Sequence, residues 1–243
     1  MTDAHCHVSC GDPAVRELLI GRDFIGLHPW DADGLSPEDF RRKTEDLKSR
    51  LASGVSSPSP RPIGVGEIGL DRLRAKTISP RMREVFEAQL KLAMELGCPV
   101  VLHGAKCWGQ VVKTVGDFRF QISNLKSRRS THGSLSVAFL FHGFSRSDGL
   151  IPDIVALGGY ISVGPAVLND HAVNYRELVK KVPLDRLLVE TDRTPENAAT
   201  CPSVAEVLAK LAELRGLGVS ELEAVTDANA DRFCRPLTEP PRK

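Results

Sequence analysis

A short apolar run, a polar residue closing it, and then a helix-type segment: this unit recurs along the chain and restricts the fold more than any other feature. The runs are Asp3-Ala4-His5-Cys6-His7, Phe24–Leu27 before His28, Pro62–Gly69 carrying Glu67, Pro99–Leu102 before His103, Ala138–Phe141 before His142, Tyr160–Val163, and Arg186–Val189 before Glu190-Thr191-Asp192. Continuous apolar strands alternating with helices mean a parallel sheet covered on both faces. Seven such units predict a closed α/β barrel of the TIM type, (β/α)8. An open doubly wound sheet would carry a Gly-rich phosphate turn early, and none is present. The eighth strand is not evident. Asp12-Pro13 reads as opening a short helix through Leu19, and residues 225–230 read as helix, so the eighth strand is expected to be irregular or missing. One barrel domain is expected over residues 1–235, with a disordered tail at 236–243.

The helices announce themselves by their ends. Ser36-Pro37-Glu38-Asp39 offers an N-cap, a first-turn proline and acids at the positive dipole end, and that helix runs to about Leu51. Ser79-Pro80 starts another, with Met82, Phe86, Leu90, Ala93 and Met94 on one face and Gly97 as its stop. Ser203-x-x-Glu206 and Ser220-x-x-Glu223 read as capping boxes. Residues 52–62 read as a mobile Ser/Pro/Gly loop, and 107–137 carries no readable period.

Net charge is +1, which excludes a global electrostatic attraction to nucleic acid or membrane. A polyanionic substrate would need a local patch or metal ions. Six scattered cysteines without a C-x-x-C pair read as reduced thiols. No apolar run approaches the ~20 residues of a membrane helix. The first residues do not read as a secretory signal, so a cytoplasmic location is expected, or a nuclear one in a eukaryote.

In barrels of this type the chemistry sits at the C-terminal ends of the strands. His5, His7, Glu67, His103, His142 and Asp192 all stand there, on five different strands. Alternation puts His5 and His7 on one face, with Cys6 opposite. Four imidazoles and two carboxylates exceed the needs of one tetrahedral ion and suit two divalent ions, Zn, Mn or Mg. Asp192, Glu67 and Glu190 are the expected catalytic carboxylates. Asp192 is the general base; Glu190, on the same face two residues earlier, orients a ligand imidazole or joins proton transfer. His28, Lys106, Arg146 and Arg193 are candidates to touch substrate, His28 alternatively packing at the rim. Trp30 and Trp108 could stack on a base, though covering the barrel mouth is favoured. Asp71 reads as a structural acid or one that supports a ligand residue rather than a catalyst, His132 and His171 as plain surface residues, and Lys126, Arg128 and Arg129 as a solvated face.

Five motifs in order carry a resemblance: Asp3-Ala4-His5-Cys6-His7, Gly66-Glu67-Ile68-Gly69-Leu70-Asp71, Val101-Leu102-His103, Phe141-His142-Gly143-Phe144-Ser145 and Glu190-Thr191-Asp192. Together they resemble the TatD-related metal-dependent hydrolases, amidohydrolase-like barrels of which many are assigned as DNases. The resemblance implies that His5, His7 and Asp192 hold one metal, that His103 and His142 hold a second, and that Glu67 bridges them. It also implies a fold role for Asn229 and Phe233. The chain departs from the family pattern after the fourth-strand histidine, where it has His103-Gly104-Ala105-Lys106, and after Asp192, where it has Arg193-Thr194-Pro195. The expected function is a two-metal phosphodiesterase or deoxyribonuclease, 3′-exonuclease-like, acting on DNA or another phosphodiester. The alternatives are an amidohydrolase-type hydrolase and a non-catalytic interaction protein on the same barrel.

Overall fold

The computed structural model describes residues 1–52, 61–127 and 137–235. The Ser/Pro/Gly loop at 53–60, Arg128, Arg129, His132 and the tail at 236–243 lie outside the described residues. Eight parallel strands make a closed TIM-type barrel: β1 (Thr2–Cys6), β2 (Arg16–Leu19), β3 (Phe24–Ile25), β4 (Gly64–Asp71), β5 (Val100–Ala105), β6 (Phe139–Phe141), β7 (Gly159–Val163) and β8 (Leu187–Val189). β1 pairs with β2, and β3 through β8 pair in chain order. An Ile20–Phe24 bridge joins the two groups. Closure falls between β8 and β1: the Asp192 N–H donates to the His5 carbonyl at 3.0 Å and the His7 N–H to the Arg193 carbonyl at 2.8 Å.

The eighth strand is therefore present, and it is β2, where a helix was expected. Asp12 does not start a helix. Its carboxylate accepts the Ala14 N–H at 2.9 Å and its carbonyl the Val15 N–H at 3.1 Å, which closes a local turn. The chain leaves that turn extended, so the edge of β1 is satisfied and Leu18 and Leu19 are buried.

The helices are α1 (Pro37–Ala52), α2 (Pro80–Leu96), α3 (Trp108–Ser127), α4 (Ile151–Ala156), α5 (Val173–Lys181), α6 (Val204–Arg215) and α7 (Val219–Cys234). The unreadable stretch is thus largely α3. Ser79 caps α2 by accepting the Met82 N–H, and Gly97 ends it at φ 67°. Ser203 and Glu206 form the reciprocal box on α6. The second expected box does not form. Gly218 is the N-cap of α7, and its carbonyl accepts the Leu222 N–H, so Ser220 and Glu223 lie inside the helix.

Core residues follow the period of two. Val101, Leu140 and Leu188 point the same way as His103, His142 and Glu190 two positions on, and they pack with Phe24 and Tyr160 in one cluster. Phe233 of α7 stacks on Phe24 with ring centroids 5.5 Å apart and closes that cluster. Asn229, fully buried, donates to the Leu184 and Leu187 carbonyls at 2.7 Å each and ties α7 to β8. A second and larger cluster lies between the other strand faces and the helices. No helix among the described residues is long and apolar enough to cross a membrane.

Candidate metal centre

The register of β4 shifts between Val65 and Ile68, which re-aims Glu67. Close approach of β5 helps hold this segment: Gly69 sits at φ 151°, and a Cβ there would collide with the His103 carbonyl. Glu67 is buried, and its two oxygens face different imidazoles. Oε1 is 2.5 Å from His103 Nδ1, 2.6 Å from His142 Nε2 and 3.5 Å from His28 Nε2. Oε2 is 3.6 Å from His5 Nε2 and 3.5 Å from His7 Nε2. Asp192 Oδ1 lies 3.5 Å from His5 Nε2 and 3.6 Å from His7 Nε2. The six residues read from the sequence as a ligand set thus converge at one rim.

Three groupings have donor atoms within 4.8 Å of one another: His5, His142 and Asp192; His5, His7 and Glu67; His28, Glu67 and His103. His28, expected at the substrate rim, belongs to the cluster itself. His142 faces both sides, stacked on His5 at 3.9 Å between centroids and with Nε2 3.4 Å from His103 Nδ1.

Both ring nitrogens of His5 and Nδ1 of His142 are buried without a hydrogen-bond partner. Each such atom costs about 1–3 kcal/mol in an apolar setting. A divalent cation between His5 Nε2 and the Glu67 and Asp192 carboxylates satisfies that nitrogen, so the residues present fit the metals implied by the pattern.

The charges are arranged for the same purpose. Burial opposes ionisation of Glu67, but the His142 imidazole and hydrogen bonds from His103, His142 and His28 hold its carboxyl well below the ordinary range. Asp192 is likewise lowered: burial opposes its charge and the His5 imidazole outweighs it. Burial pushes His5 down to about 4, which keeps it neutral and able to donate a lone pair. His142 rises to about 10, because the Glu67 carboxylate outweighs the effect of burial.

A layer of carboxylates supports the histidines. Asp71 is buried; its Oδ2 is 3.1 Å from His103 Nε2 and accepts the Trp30 indole N–H at 2.6 Å. Its Oδ1 accepts the Leu73 and Arg74 N–H groups. Held this way, His103 keeps Nδ1 toward Glu67. Glu190 accepts from Ser162 Oγ at 2.5 Å and the Gly143 N–H at 2.7 Å, with Oε1 3.9 Å from His142 Nδ1. Burial raises it to about 7. Asp3 accepts the Thr191 N–H at 3.0 Å and the Thr191 hydroxyl at 2.6 Å, joining β1 to the end of β8. Asp71, read from the sequence as a structural or ligand-supporting acid, stands at the end of the same strand as Glu67 and beside His103.

Lys106, Arg146 and Asp192 all have positive φ, at 56°, 60° and 50°. Such conformations are uncommon outside glycine and gather at functional loops. Two cavities flank the cluster. One of about 1100 Å³ is lined by Arg146, His171, Tyr175, Lys181 and Asp192. The other, about 770 Å³, is lined by Arg72, His103, Lys106, Trp108 and Arg146. Lys106 and Arg146 therefore open onto the space expected for substrate, and His171 lines a cavity rather than plain surface. Arg193 does not reach it. Its guanidinium donates to the Ala198 and Cys201 carbonyls at 2.6 and 3.2 Å and holds its own loop.

A TIM-type barrel with a buried carboxylate between two sets of histidines at its C-terminal rim defines a metal-dependent hydrolase. Residues 22–235 match the model of the family described as TatD related DNase, and the chain belongs to that family. It is 28% identical over 230 residues to an uncharacterized metal-dependent hydrolase, YabD, of Bacillus subtilis, covering 90% of this chain and 81% of that one. It is 26% identical over 216 residues to a protein of Cronobacter sakazakii named 3′-5′ ssDNA/RNA exonuclease TatD, covering 84% of this chain and 76% of that one. The crystal structure of YJJV, a TatD homolog from Escherichia coli, superposes with a TM-score of 0.65 at 24% identity, covering 92% of this chain and 78% of that one.

Proposed function

We propose that the protein is a two-metal phosphodiesterase acting on single-stranded nucleic acid in the manner of a 3′-exonuclease. The observation that carries this reading is the division of Glu67, with Oε1 toward His103, His142 and His28 and Oε2 toward His5 and His7. That is the arrangement of a carboxylate able to bridge two cations. His5, His7 and Asp192 would hold one, and His103 and His142 the other, with His28 close enough to join the second. Bound there, divalent ions supply Lewis acidity, lowering the pKa of water toward ~7 and polarising the phosphoryl oxygen.

The chain's own groups do the rest. Asp192 is ionised at neutral pH and half exposed at the junction of the two cavities, so it can accept the proton of an attacking water. Glu190 holds a proton near neutrality beneath His142 and can exchange it or steady that ring. Lys106 and Arg146 line the approach and draw in phosphates. The exonuclease activity named for the Cronobacter relative supports nucleic acid as the substrate.

The test is an elemental analysis of the purified protein followed by hydrolysis assays with added Mg, Mn or Zn and with chelator. Single-stranded oligonucleotides, carboxylic esters and amides are offered in parallel. Metal-dependent release of nucleotides is expected, abolished by Glu67→Gln and by Asp192→Asn with the fold intact by circular dichroism. Wild-type rates in both variants, or hydrolysis of esters or amides only, would overturn the reading.

A further inference from the structure

Trp30 is the exposed tryptophan of the pair. It sits in the short 3-10 turn Pro29–Gly34 and is 52% exposed, whereas Trp108 is 5% exposed. Trp108 packs on Phe141 and Phe144 in the cluster between the strands and the helices. Trp30 lies outside that cluster. An indole left half in water would ordinarily be loose, but this one is fixed. Its N–H is bonded to Asp71, its ring meets His28 edge-on at 4.4 Å, and it lies 6.2 Å from His103. Both histidines approach Glu67 Oε1, so Trp30 stands directly beside the proposed reaction centre.

One face of the ring already carries a planar partner. The Arg74 guanidinium lies 4.6 Å from the ring centroid. Guanidinium groups stack where nucleobases stack, because both are flat and both interact with the π-face. Next to this pair are the exposed Arg72 and Leu73, and Arg72 shares the cavity of His103 and Lys106. A rigid exposed aromatic ring set among cations is the pattern that holds single strands without reading their sequence.

We propose that Trp30 is a stacking platform for the nucleobase next to the scissile phosphate. The base takes the place of the Arg74 guanidinium over the indole, and the freed cation meets a neighbouring phosphate. This deepens the nuclease reading and rests on it.

The test uses metal-loaded protein and phosphorothioate-linked oligothymidylate, with an abasic phosphorothioate strand of equal length as control. The chain has two tryptophans, and the buried Trp108 serves as a steady background. Oligothymidylate should quench the fluorescence and the abasic strand should not. By polarisation of a labelled strand, Trp30→Ala should weaken base-containing strands by roughly 5- to 100-fold and leave abasic strands unchanged. Trp30→Phe, which keeps a ring but also loses the bond to Asp71, should stay within about threefold of wild type. Equal affinity for both strands, or equal loss in the Ala and Phe variants, overturns the platform. Binding of neither strand would instead sink the nucleic-acid reading, and the platform with it.

Discussion

The ring of Trp108 occupies the place a Cβ would take on Gly104. This explains the departure after the fourth-strand histidine. Glycine at 104 and tryptophan at 108 are one choice, made together, because the side chain that would point outward from β5 has been replaced by a ring from α3. Gly104→Ala should cost about 1–3 kcal/mol through overpacking. Trp108→Leu in the same chain should relieve part of that loss, giving a coupling of about 0.5–3 kcal/mol in a double-mutant cycle followed by urea unfolding.

Asp71 should matter for metal retention as well as for folding. Asp71→Asn keeps one acceptor oxygen for the Leu73 and Arg74 N–H groups, but it turns an NH2 toward the Trp30 N–H and no longer offers a charged partner to His103 Nε2. Metal affinity should fall by about 10- to 100-fold in a chelator competition, and the unsatisfied Trp30 N–H should lower the stability of the metal-free protein by about 1–3 kcal/mol.

Asp3 should make a contribution to the stability of the metal-free protein that falls as pH rises from about 4 to about 6, set against an opposite one from His5, whose lowered value leaves the unfolded chain the more protonated over that range. Burial is the cause: it raises Asp3 from 3.8 to about 6 despite its bonds to Thr191 and His5. Between those values the folded state holds a proton that the unfolded chain has released. Each step up in pH therefore favours unfolding, by on the order of 3 kcal/mol in all. Asp3→Asn keeps the Thr191 contacts and removes this contribution, so its stability relative to wild type should rise with pH across that range in denaturant titrations.

The two apparent capping boxes should behave differently. Ser203 bonds the Glu206 N–H while Glu206 reaches back to the Ser203 N–H at 2.8 Å, so Ser203→Ala should cost about 1 kcal/mol. Ser220 lies inside α7, and Ser220→Ala should change stability by no more than about 0.5 kcal/mol. Thermal unfolding of both variants checks the pair.

Strand ends were the most legible part of this chain. An apolar run closed by His103 or His142 states both where a strand stops and what it presents, because barrel geometry fixes the face. The first strand pair was not legible. Arg16–Leu19 is four residues long with only its last two buried, too short for a period, and Asp12-Pro13 is an equally good turn or helix start. Helix α3 was missed for another reason: Val111, Val112 and Val115 are β-branched and sit among polar residues. Within the site, the sequence shows which residues end strands but not how they pair. That His28 faces Glu67, or that Arg193 turns back on its own loop, depends on distances between segments far apart in the chain.

Closure of the barrel brings β1 and the end of β8 together through His5, His7, Asp192 and Arg193, with Asp3 bonded to Thr191. Residues nearly two hundred positions apart in the chain thus supply both walls of the histidine–carboxylate cluster. During synthesis, the imidazoles emerge long before the aspartate that completes their grip. The nascent polypeptide therefore cannot bring these side chains together until its last strand has docked.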